Sequence, residues 1–516
     1  MRGESPSTAH NAEETRPWWE SRAVIVLVVL VTMLPLLYPP IPPLVDLFGH
    51  MGRYRVELDL GNSLWLKQYY SFHWAAIGNL GVDLLVLVLA PLVGLEPAVK
   101  LIVLAIPPLT ALGFLWVARE VHGRIPPTAY FALPFIYGFP FLFGFVNFAL
   151  SVALAFLAFG LWLRLGRLER TTLRSWLFVP ISLVVFFTHT YGWGLLGLMC
   201  FSADAVRLHD RGRSWWRAGL EAVLHTSVMT LPLIVMLAWR SETHGGSTIG
   251  WFEWKIKWRW LYSALRDRWK LLDIVSLAVA ALVFVYALVS RKLTLSRNLA
   301  FSAIVLALSF AVLPRIIFGS AYADMRLVPY LFAVALLAIR FRGAPDRRTA
   351  QVLAVLGVAF FATRTAANTV SLAMAANDQQ AKLEALDHVP EGARVITLTG
   401  MTCAEYWPML RNSHLGAMVI VRREGFSNDQ WLLEGINLLD LKYRAAGYFA
   451  ADPSQLVRPN RCRDPLHRTI DESLSALPRN DFDYVWLVDV PPYRPEFVAG
   501  MQPVWRGPGS ILYRLH

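Results

Sequence analysis

Asp46, His50 and Arg53 are spaced so that a helix would place their side chains on one face. They follow two Pro-Pro pairs at residues 39–43, which end the preceding helix because proline lacks a backbone donor. A carboxylate beside an imidazole predicts a general base, with His50 as its partner or as a metal co-ligand. Asp46 equally suits the N-cap of an amphipathic helix on the membrane surface.

A second cluster combines Arg315, Asp324 and Arg326 in a short turn between two apolar runs. A cation at the membrane boundary is costly unless it is paired, and guanidinium forks match phosphate geometry. The turn therefore predicts a site for a phosphate group at the membrane boundary, with contributions from Arg53 and Arg364 and with Asp324 as a second acidic group. The alternative is that Arg326 pairs with Asp324 or extends to lipid headgroups.

Three further features leave alternatives open. Asp83 within an apolar run suits a proton relay of a transporter, whereas His189 is typical of a hydrogen-bonded residue between helices. The segment 240–270 interleaves tryptophans with lysines and arginines, which predicts an interfacial helix or a mobile flap that offers ring faces to sugars. Nucleic-acid binding is not expected for such a segment beside lipid.

These residues lie on or between apolar runs that are long enough to cross a membrane. The 516-residue chain is 55% hydrophobic and 17% charged. About 20 apolar residues span the hydrocarbon layer as a helix, which satisfies its own backbone hydrogen bonds. Such runs lie at residues 23–38, 75–94, 98–118, 127–141, 144–163, 176–198, 218–239, 271–290, 299–318, 325–341 and 349–373. The predicted fold is an α-helical polytopic membrane protein with about eleven transmembrane helices.

The predicted domains are a cytoplasmic tail (1–22), a transmembrane domain (23–375) and an extracytoplasmic α/β domain (376–516). The transmembrane domain includes the external loops 39–74 and 240–270, of which the first carries juxtamembrane helices. The first run lacks a small-residue cleavage site and is predicted to be an uncleaved span.

Loop charge sets the predicted orientation. The net charge of +12 suggests basic cytoplasmic loops rather than a nucleic-acid partner, because Lys and Arg collect beside spans on that side. Basic segments at 207–217, 291–297 and 342–348 agree with a cytoplasmic N-terminus. The basic segment 164–174 falls outside in this count, so either one span is miscounted on each side of it or its arginines meet an external anion.

The C-terminal region has the alternation of a soluble α/β domain. Strands are predicted at 393–398, 417–421 and 484–488, helices at 433–443 and 471–477, and a hairpin at 504–513 that turns at Gly-Pro-Gly. Cys403 and Cys462 both fall in this region. An external compartment permits a disulfide between them, and two free thiols are the alternative.

The order of these elements resembles the C-type (GT-C) glycosyltransferase superfamily, which includes the protein O-mannosyltransferases and the aminoarabinose transferases. In that superfamily an acidic residue of the first external loop is the catalytic base, so the resemblance assigns this role to Asp46. The sequence departs from the common pattern in two places. Leu47 follows Asp46 where an Asp-Glu pair is frequent, and no Lys-Pro-Pro precedes the second span.

The resemblance implies an inverting-type enzyme of the plasma (inner) membrane, with a cytoplasmic N-terminus. It would move a sugar from a polyprenyl-phosphate donor to an acceptor hydroxyl on the external face. The expected partners are this donor, a glycan, lipid or protein acceptor, and membrane lipid, but no nucleic acid. No cofactor and no metal are expected because the arginines supply positive charge, although Asp46 and His50 leave room for a divalent ion.

Two other functions remain open at this point. A transporter or flippase for a lipid-linked or polar envelope precursor would rely on Asp83, His189 and Arg364. A non-catalytic envelope-assembly protein would use the C-terminal domain as a docking module.

Overall fold

The computed structural model of the chain describes residues 17–242, 247–404, 406–432, 437–463 and 466–516. Residues 1–16 of the predicted tail and 243–246 of the second loop lie outside the described residues. The helices of the N-terminal half are α1 (Arg22–Val31), α2 (Leu34–Leu37), α3 (Leu47–Asp59), α4 (Leu66–Tyr69), α5 (Gly81–Val93), α6 (Leu95–His122), α7 (Phe139–Phe143), α8 (Val146–Arg167), α9 (Thr171–Thr188) and α10 (Thr190–Asp210).

The second half continues the helical bundle and adds a sheet. Its helices are α11 (Trp215–Thr226), α12 (Leu231–Glu242), α13 (Trp254–Tyr262), α14 (Lys270–Val289), α15 (Arg297–Val312), α16 (Val328–Leu337), α17 (Arg347–Leu383), α18 (Met418–Arg423) and α19 (Ile470–Ser475). A 3-10 helix over Pro127–Tyr137 precedes α7. The chain is therefore mostly helical, as predicted.

Five of the described helices are long and apolar enough to cross a membrane: α6, α8, α9, α14 and α17 together with its extension to His388. A sixth crossing is counted if α11 and α12, bent by 61° at their junction, form one span. Shorter apolar helices include α1, α5 and α15. The polytopic architecture is thus confirmed in its coarse form, and the count of about eleven stays a prediction.

Helix α8 lies at the centre of the bundle, where glycines allow close approach. A Cβ on Gly113 of α6 would lie 2.8 Å from Cβ of Phe156, and one on Gly160 would lie 2.9 Å from the Trp116 ring. On α10, a Cβ on Gly192 would lie 2.1 Å from Oγ of Ser151. Small residues at such contacts are typical of membrane helices, which associate by close packing.

Ion pairs group the helix termini at two ends of the bundle. One end, here called the Glu20 end, is marked by the pairs Arg124–Glu20 (2.8 Å) and Arg167–Glu120 (2.7 Å). The opposite end, here called the Asp46 end, carries α3 and the C-terminal sheet. There Arg422 of α18 pairs with Glu96 at the start of α6, with 2.8 Å between Nε and Oε1.

Two predicted spans differ from the structure in offsetting ways. Residues 75–94 form only the 13-residue α5, about 20 Å long. Both its termini lie at the Asp46 end, because Asp83 pairs with Arg53 of α3 and Gly94 precedes the Glu96–Arg422 pair. Residues 176–198 are instead divided between α9 and α10, which meet at His189.

These two differences change the side on which residues 164–174 lie. Arg167 pairs with Glu120, and Glu169 pairs with Arg211 at 2.9 Å, so the segment belongs to the Glu20 end. The apparent exception to the charge rule came from one span miscounted on each side of the segment. Hydropathy alone could not show that both termini of α5 lie at the same end of the bundle.

The C-terminal region folds around a six-stranded mixed sheet. Its strands are β4 (Arg394–Gly400), β5 (Phe426–Ser427), β7 (Leu456–Val457), β8 (Tyr484–Val488), β9 (Gln502–Gly507) and β10 (Ser510–Arg514), in the order β5-β4-β8-β10-β9 with β7 also paired to β4. The strands predicted at 393–398 and 484–488 and the hairpin at Gly507-Pro508-Gly509 are confirmed.

Two predictions for the sheet region were wrong. Residues 417–421 form the buried helix α18, because an unbroken apolar run fits a fully buried helix as well as a strand. Residues 439–441 form strand β6 within the predicted helix 433–443, of which 433–436 lie outside the described residues. The remaining strands are β1 (Tyr70–Phe72), β2 (Leu293–Leu295) and β3 (Ile339–Phe341).

Three connections join the C-terminal sheet region to the rest of the chain. Strand β1 of the loop 39–74 pairs with β6, and α3 packs against α18. Helix α17 continues from the bundle to Leu383, past the predicted boundary at residue 375. Cys403 and Cys462 form a disulfide, so the open choice between a bridge and free thiols is resolved.

Candidate active site

Asp46 is held at the Asp46 end by backbone contacts that leave its side chain free of the helix. Its backbone N–H donates to the Phe143 carbonyl at 2.9 Å, and Gly144 packs against it so closely that a Cβ there would lie 2.7 Å from the Asp46 nitrogen. The residue is 8% exposed. Asp46 occupies the N-cap position of α3, but its side chain does not make the capping bond that the N-cap alternative requires.

The Asp46 carboxylate faces charge of its own sign. No residue that the structure describes donates a hydrogen bond to it, and the Asp452 carboxylate lies nearby. Burial raises the pKa of Asp46 well above its usual value, the negative charge of Asp452 raises it further, and Arg326 opposes both. A carboxyl group with this pKa is protonated far more readily than an exposed aspartate, as a base that must exchange protons near neutral pH requires.

His414 of the C-terminal region lies between the two carboxylates. Its Nε2 is 3.8 Å from Oδ1 of Asp46 and 3.9 Å from Oδ1 of Asp452. Its Nδ1 lies 3.1 Å from the Asp429 carbonyl, which can only accept, so Nδ1 carries a proton. Burial lowers the pKa of His414, and the Asp452 charge partly offsets this. In the neutral ring, Nε2 is then an acceptor that points between the two carboxylates.

A fourth group, Asp429, lies next to His414. It is fully buried, and burial raises the pKa of its carboxyl group well above the usual value, with a further rise from Asp452. The backbone amides of Gly416 and Ala417 oppose this rise. The cluster therefore brings three aspartates to one imidazole.

The cluster borders a cleft of about 670 Å³ that three parts of the chain enclose. We call it the Asp46 cleft. Its polar and aromatic lining comprises Asp46, Arg259, Trp260, Arg266, Arg315, Tyr322, Tyr406, His414, Trp431, Asp452, Arg458 and His467. The loop 39–74, the helical bundle and the C-terminal region each contribute, so the cleft exists only when all three are assembled.

The structure brings two predicted residues, Asp46 and Arg315, into this one cleft. The Arg315 guanidinium is 37% exposed, lies 5.8 Å from the centre of the Tyr322 ring, and has the Glu253 carboxylate 3.8 Å away. An ion pair as long and exposed as this contributes little, so the guanidinium is available to another anion.

Arg326, the third predicted residue at this site, is buried among aromatic rings. Its guanidinium carbon lies 4.4 Å from the centre of the Phe145 ring and 4.8 Å from that of Tyr191, and Nη1 donates to Ser320 Oγ at 3.1 Å. Its Nε is buried without an acceptor in the described part of the chain. Arg326 influences Asp46 through its charge, so it stands beside the cleft with an unused donor.

An apolar groove of about 320 Å³ adjoins Arg326 on the bundle side. Tyr191 and Ser320, which contact the Arg326 guanidinium, both line it. The rest of its lining is mostly apolar and includes Ile77, Trp193, Leu195, Leu198, Met236, Leu313 and Leu327. The Arg326 guanidinium thus contacts two residues that line the apolar groove, and its charge acts on Asp46 of the cleft.

Three predicted residues are paired with other side chains outside the cleft. Arg53 pairs with Asp83 at 2.6 Å and Arg364 pairs with Asp273 at 2.6 Å, each among buried side chains outside the cleft. Asp324 does not pair with Arg326, because Lys257 binds its carboxylate at 3.1 Å. None of the three lines the Asp46 cleft, and each already has a partner of opposite charge.

His50 is buried but is not joined to the Asp46 carboxylate. Its ring lies 5.0 Å from that of Trp431 and stacks on Tyr54, while only its backbone N–H contacts Asp46, by donating to the Asp46 carbonyl at 3.1 Å. Burial lowers the pKa of His50, and Arg53 lowers it further. The described residues include no group of three or more His, Cys, Asp or Glu placed to hold a metal ion.

Sequence reasoning missed His414, Asp452, Asp429 and Trp431. All four come from the C-terminal region, more than 360 residues from Asp46 in the chain. No spacing rule links such distant positions. No signal in the sequence distinguishes these residues, because their positions in and beside the cleft are visible only in the structure.

Comparison with solved structures finds the same fold in ArnT from Cupriavidus metallidurans. In the apo state, that protein is 13% identical, the alignment covers 96% of this chain and 97% of that chain, and the TM-score is 0.51. Its structure bound to undecaprenyl phosphate aligns over the same shares at 12% identity with a TM-score of 0.45. No family model and no curated protein sequence matches the chain. The sequence-based resemblance to the C-type glycosyltransferases is thus confirmed as a likeness of fold.

Proposed function

We propose that this chain is a membrane glycosyltransferase that moves a sugar from a polyprenyl-phosphate donor to an acceptor hydroxyl, with Asp46 as the general base. The observation that carries the proposal is the buried Arg326 guanidinium, which contacts the lining of the apolar groove and acts by its charge on Asp46 of the polar cleft. The fold shared with ArnT, an aminoarabinose transferase, supports it. A lipid-linked sugar needs both environments, since its tail is apolar and its reacting end is polar.

The donor phosphate is assigned to Arg315 and Arg326. Arg315 has only a weak anionic partner and Arg326 has a buried donor without one, so a phosphate would satisfy both. The polyprenyl chain would then lie in the apolar groove. Its proposed path runs along Trp193, Leu195 and Leu198 of α10. Arg53, Arg364 and Asp324 are left out of this assignment because they already have partners.

In the proposed reaction, the acceptor oxygen attacks the anomeric carbon while Asp46 takes the hydroxyl proton. The bond between the anomeric carbon and the phosphate oxygen breaks, and polyprenyl phosphate leaves with the electron pair. A single displacement of this kind inverts the anomeric centre. His414 Nε2 lies 3.8 Å from Oδ1 of Asp46 and, as an acceptor, is placed to take the proton from the Asp46 carboxyl group after the transfer and to pass it toward Asp452 through a small adjustment.

The reaction is proposed to take place on the external face of the plasma membrane. The disulfide Cys403–Cys462 at the Asp46 end suits an oxidising compartment. The basic segments gather at the Glu20 end, as expected for the cytoplasmic side. The N-terminus is therefore proposed to be cytoplasmic and the C-terminal region extracytoplasmic.

The transporter alternative is left with little support. Asp83 is paired with Arg53, and Arg364 with Asp273, so neither supplies a free intramembrane charge. His189 occupies the break between α9 and α10, where its Nδ1 accepts from the Tyr191 N–H at 3.1 Å. No observation favours the assembly-protein alternative, since the C-terminal region contributes its side chains to the cleft.

The test is the transfer activity of the purified protein with a panel of polyprenyl-phosphate sugars and hydroxyl acceptors. Asp46→Asn should lower turnover by about 10²–10⁴-fold, the range expected for the loss of a general base. Asp59→Asn is the matched control, because Asp59 lies on α3 outside the cleft in an exposed pair with Arg55. Unchanged turnover in Asp46→Asn would exclude Asp46 as the base.

A further inference from the structure

A separate polar pocket of about 420 Å³ lies at the Glu20 end, on the far side of the bundle from the Asp46 cleft. Helices α6, α8, α9, α10 and α15 and strand β3 enclose it. Six arginines line it: Arg167, Arg174, Arg207, Arg211, Arg297 and Arg340. We call it the arginine pocket.

The three carboxylates of the arginine pocket do not balance these arginines. Glu120 is bound by Arg167, and Asp210 by Arg297. Asp204 is shared by Arg174 at 2.8 Å and Arg207 at 3.2 Å. Because every lining carboxylate is already occupied, the pocket keeps an excess of positive charge that an external anion would neutralise.

Arg340 is the arginine best placed to receive that anion. It lies in β3 and is exposed, and its guanidinium makes no hydrogen bond or ion pair with any residue that the structure describes. A second donor comes from Arg207, whose Nε is buried without an acceptor in the described part of the chain. Planar guanidinium groups of this kind bind phosphate oxygens through paired hydrogen bonds.

Exposed tryptophans mark the depth of this pocket in the membrane. Trp176 near the start of α9 is 75% exposed, and Trp216 at the start of α11 is 76% exposed. Both positions belong to the Glu20 end, close in sequence to Arg174 and Arg211. Tryptophan rings on a membrane protein prefer the headgroup layer, so the arginine pocket lies at the level where lipid phosphates are found.

We propose that the arginine pocket binds a phosphate group, supplied by the headgroup of an anionic phospholipid or by a small soluble phosphate. The depth of the pocket favours the lipid. Basic pockets between helices on the cytoplasmic side are suited to anionic headgroups. The site does not depend on the reaction at the Asp46 cleft, because it shares no lining residue with that cleft.

The test measures retention of phosphatidylglycerol by the full-length protein in detergent, using native mass spectrometry. Arg340→Ala should weaken retention about fivefold, the effect expected for one arginine at an anionic membrane surface. Arg340→Lys should restore most of it, because the charge is kept. Arg217→Ala is the matched control, since Arg217 is an exposed arginine of α11 that does not line the pocket.

A second arm separates the two sources of phosphate. Inorganic phosphate is added to delipidated protein, and the thermal midpoint is measured for the wild type, Arg340→Ala and Arg217→Ala. Lipid retention that depends on Arg340 and resists inorganic phosphate supports the headgroup. A midpoint that rises with inorganic phosphate in every protein except Arg340→Ala supports a soluble phosphate. If Arg340→Ala and Arg217→Ala behave alike in both arms, the proposal is overturned.

Discussion

Two buried carboxylates at opposite ends of the bundle have opposite surroundings. Asp204, near the Glu20 end, accepts hydrogen bonds from Arg174, His225 at 3.0 Å and Trp162 at 3.3 Å, and pairs with Arg207. Asp46 accepts none from the described residues and has another carboxylate, Asp452, for a neighbour. Both side chains are almost excluded from solvent.

This contrast separates a charge that stabilises the fold from one that is kept available for chemistry. A buried carboxylate whose oxygens all have donors holds helices in register, and breaking such a group is expensive. A buried carboxylate without donors costs stability, so it persists where another requirement maintains it. Asp83 and Asp273, each paired with an arginine, belong with Asp204 rather than with Asp46.

The largest expected effect on stability is that of Asp204→Asn. The substitution leaves Arg174 and Arg207 buried without their counter-charge, which should destabilise the fold by about 3–5 kcal/mol. Thermal unfolding in detergent measures this. Asp210→Asn on the same helix is the control, because its exposed pair with Arg297 contributes about 1 kcal/mol or less. Equal midpoints for the two variants would remove the contrast between the buried clusters.

Arg326→Gln should mainly weaken donor binding. Loss of the guanidinium beside the apolar groove removes the proposed phosphate contact, worth about 1.5–3 kcal/mol for a charged hydrogen bond, so KM for the lipid-linked sugar should rise at least tenfold. Arg364→Gln should instead lower thermal stability, because it leaves the buried Asp273 carboxylate without its arginine partner. The assignment fails if Arg326→Gln leaves KM for the donor at its wild-type value.

His414→Gln should lower kcat about tenfold with little change in KM for the donor. The ring is placed to receive the proton from Asp46 but does not contact the donor phosphate in the proposed arrangement, so its loss should affect the chemical step. The pH dependence of kcat should also shift, which a merely structural residue would not produce. His50→Asn is the comparison, since the His50 ring contacts Trp431 rather than the Asp46 carboxylate. Equal effects of the two substitutions would contradict the role given to His414.

The smallest expected effect is a gain in stability for Asp46→Asn near neutral pH. Burial raises the folded-state pKa of Asp46 above its unfolded value, so stability is lost progressively as the pH rises from the unfolded pKa toward the folded pKa, and the full penalty is present above the folded pKa. Below the unfolded pKa, near 3.8, the penalty is absent. The variant should therefore melt about 2 °C higher than the wild type at pH 7, and the difference should shrink toward pH 4.

The control for this stability measurement is Asp59→Asn, whose side chain is exposed on the same helix. It should show no gain at pH 7. A lower melting temperature for Asp46→Asn at every pH would mean that the Asp46 carboxylate has a stabilising partner, and Asp46 would then resemble Asp204.

Much of the fold followed from the sequence because hydrophobic runs report directly on helices in lipid. The five long apolar helices overlap predicted runs, and the strands β4 and β8 and the terminal hairpin lie where they were predicted. The path of α5 was not predicted. The sequence of a 13-residue apolar helix does not show whether the helix crosses the membrane or has both termini on one side. The break at His189 was missed because the apolar residues on both sides of it were taken as one run over 176–198.

The candidate site was only half predictable. Asp46 and Arg315 were found because a carboxylate and a guanidinium beside apolar runs are conspicuous, and both line the cleft. Arg53 and Arg364 had the same appearance but pair with Asp83 and Asp273, which lie on other helices. Sequence gives the charges but not their partners, and the partners decide which charges remain available.

The most direct test of the account is the pH dependence of kcat/KM for sugar transfer by the wild type and by Asp46→Asn. The raised pKa of Asp46 predicts that kcat/KM of the wild type increases with pH and levels off well above the usual aspartate range, because only the deprotonated carboxylate accepts the proton. The residual activity of Asp46→Asn should lack this rise. A wild-type profile that is flat from pH 4 upward, or a rise of the same size in Asp46→Asn, would contradict the assignment of Asp46 as the base.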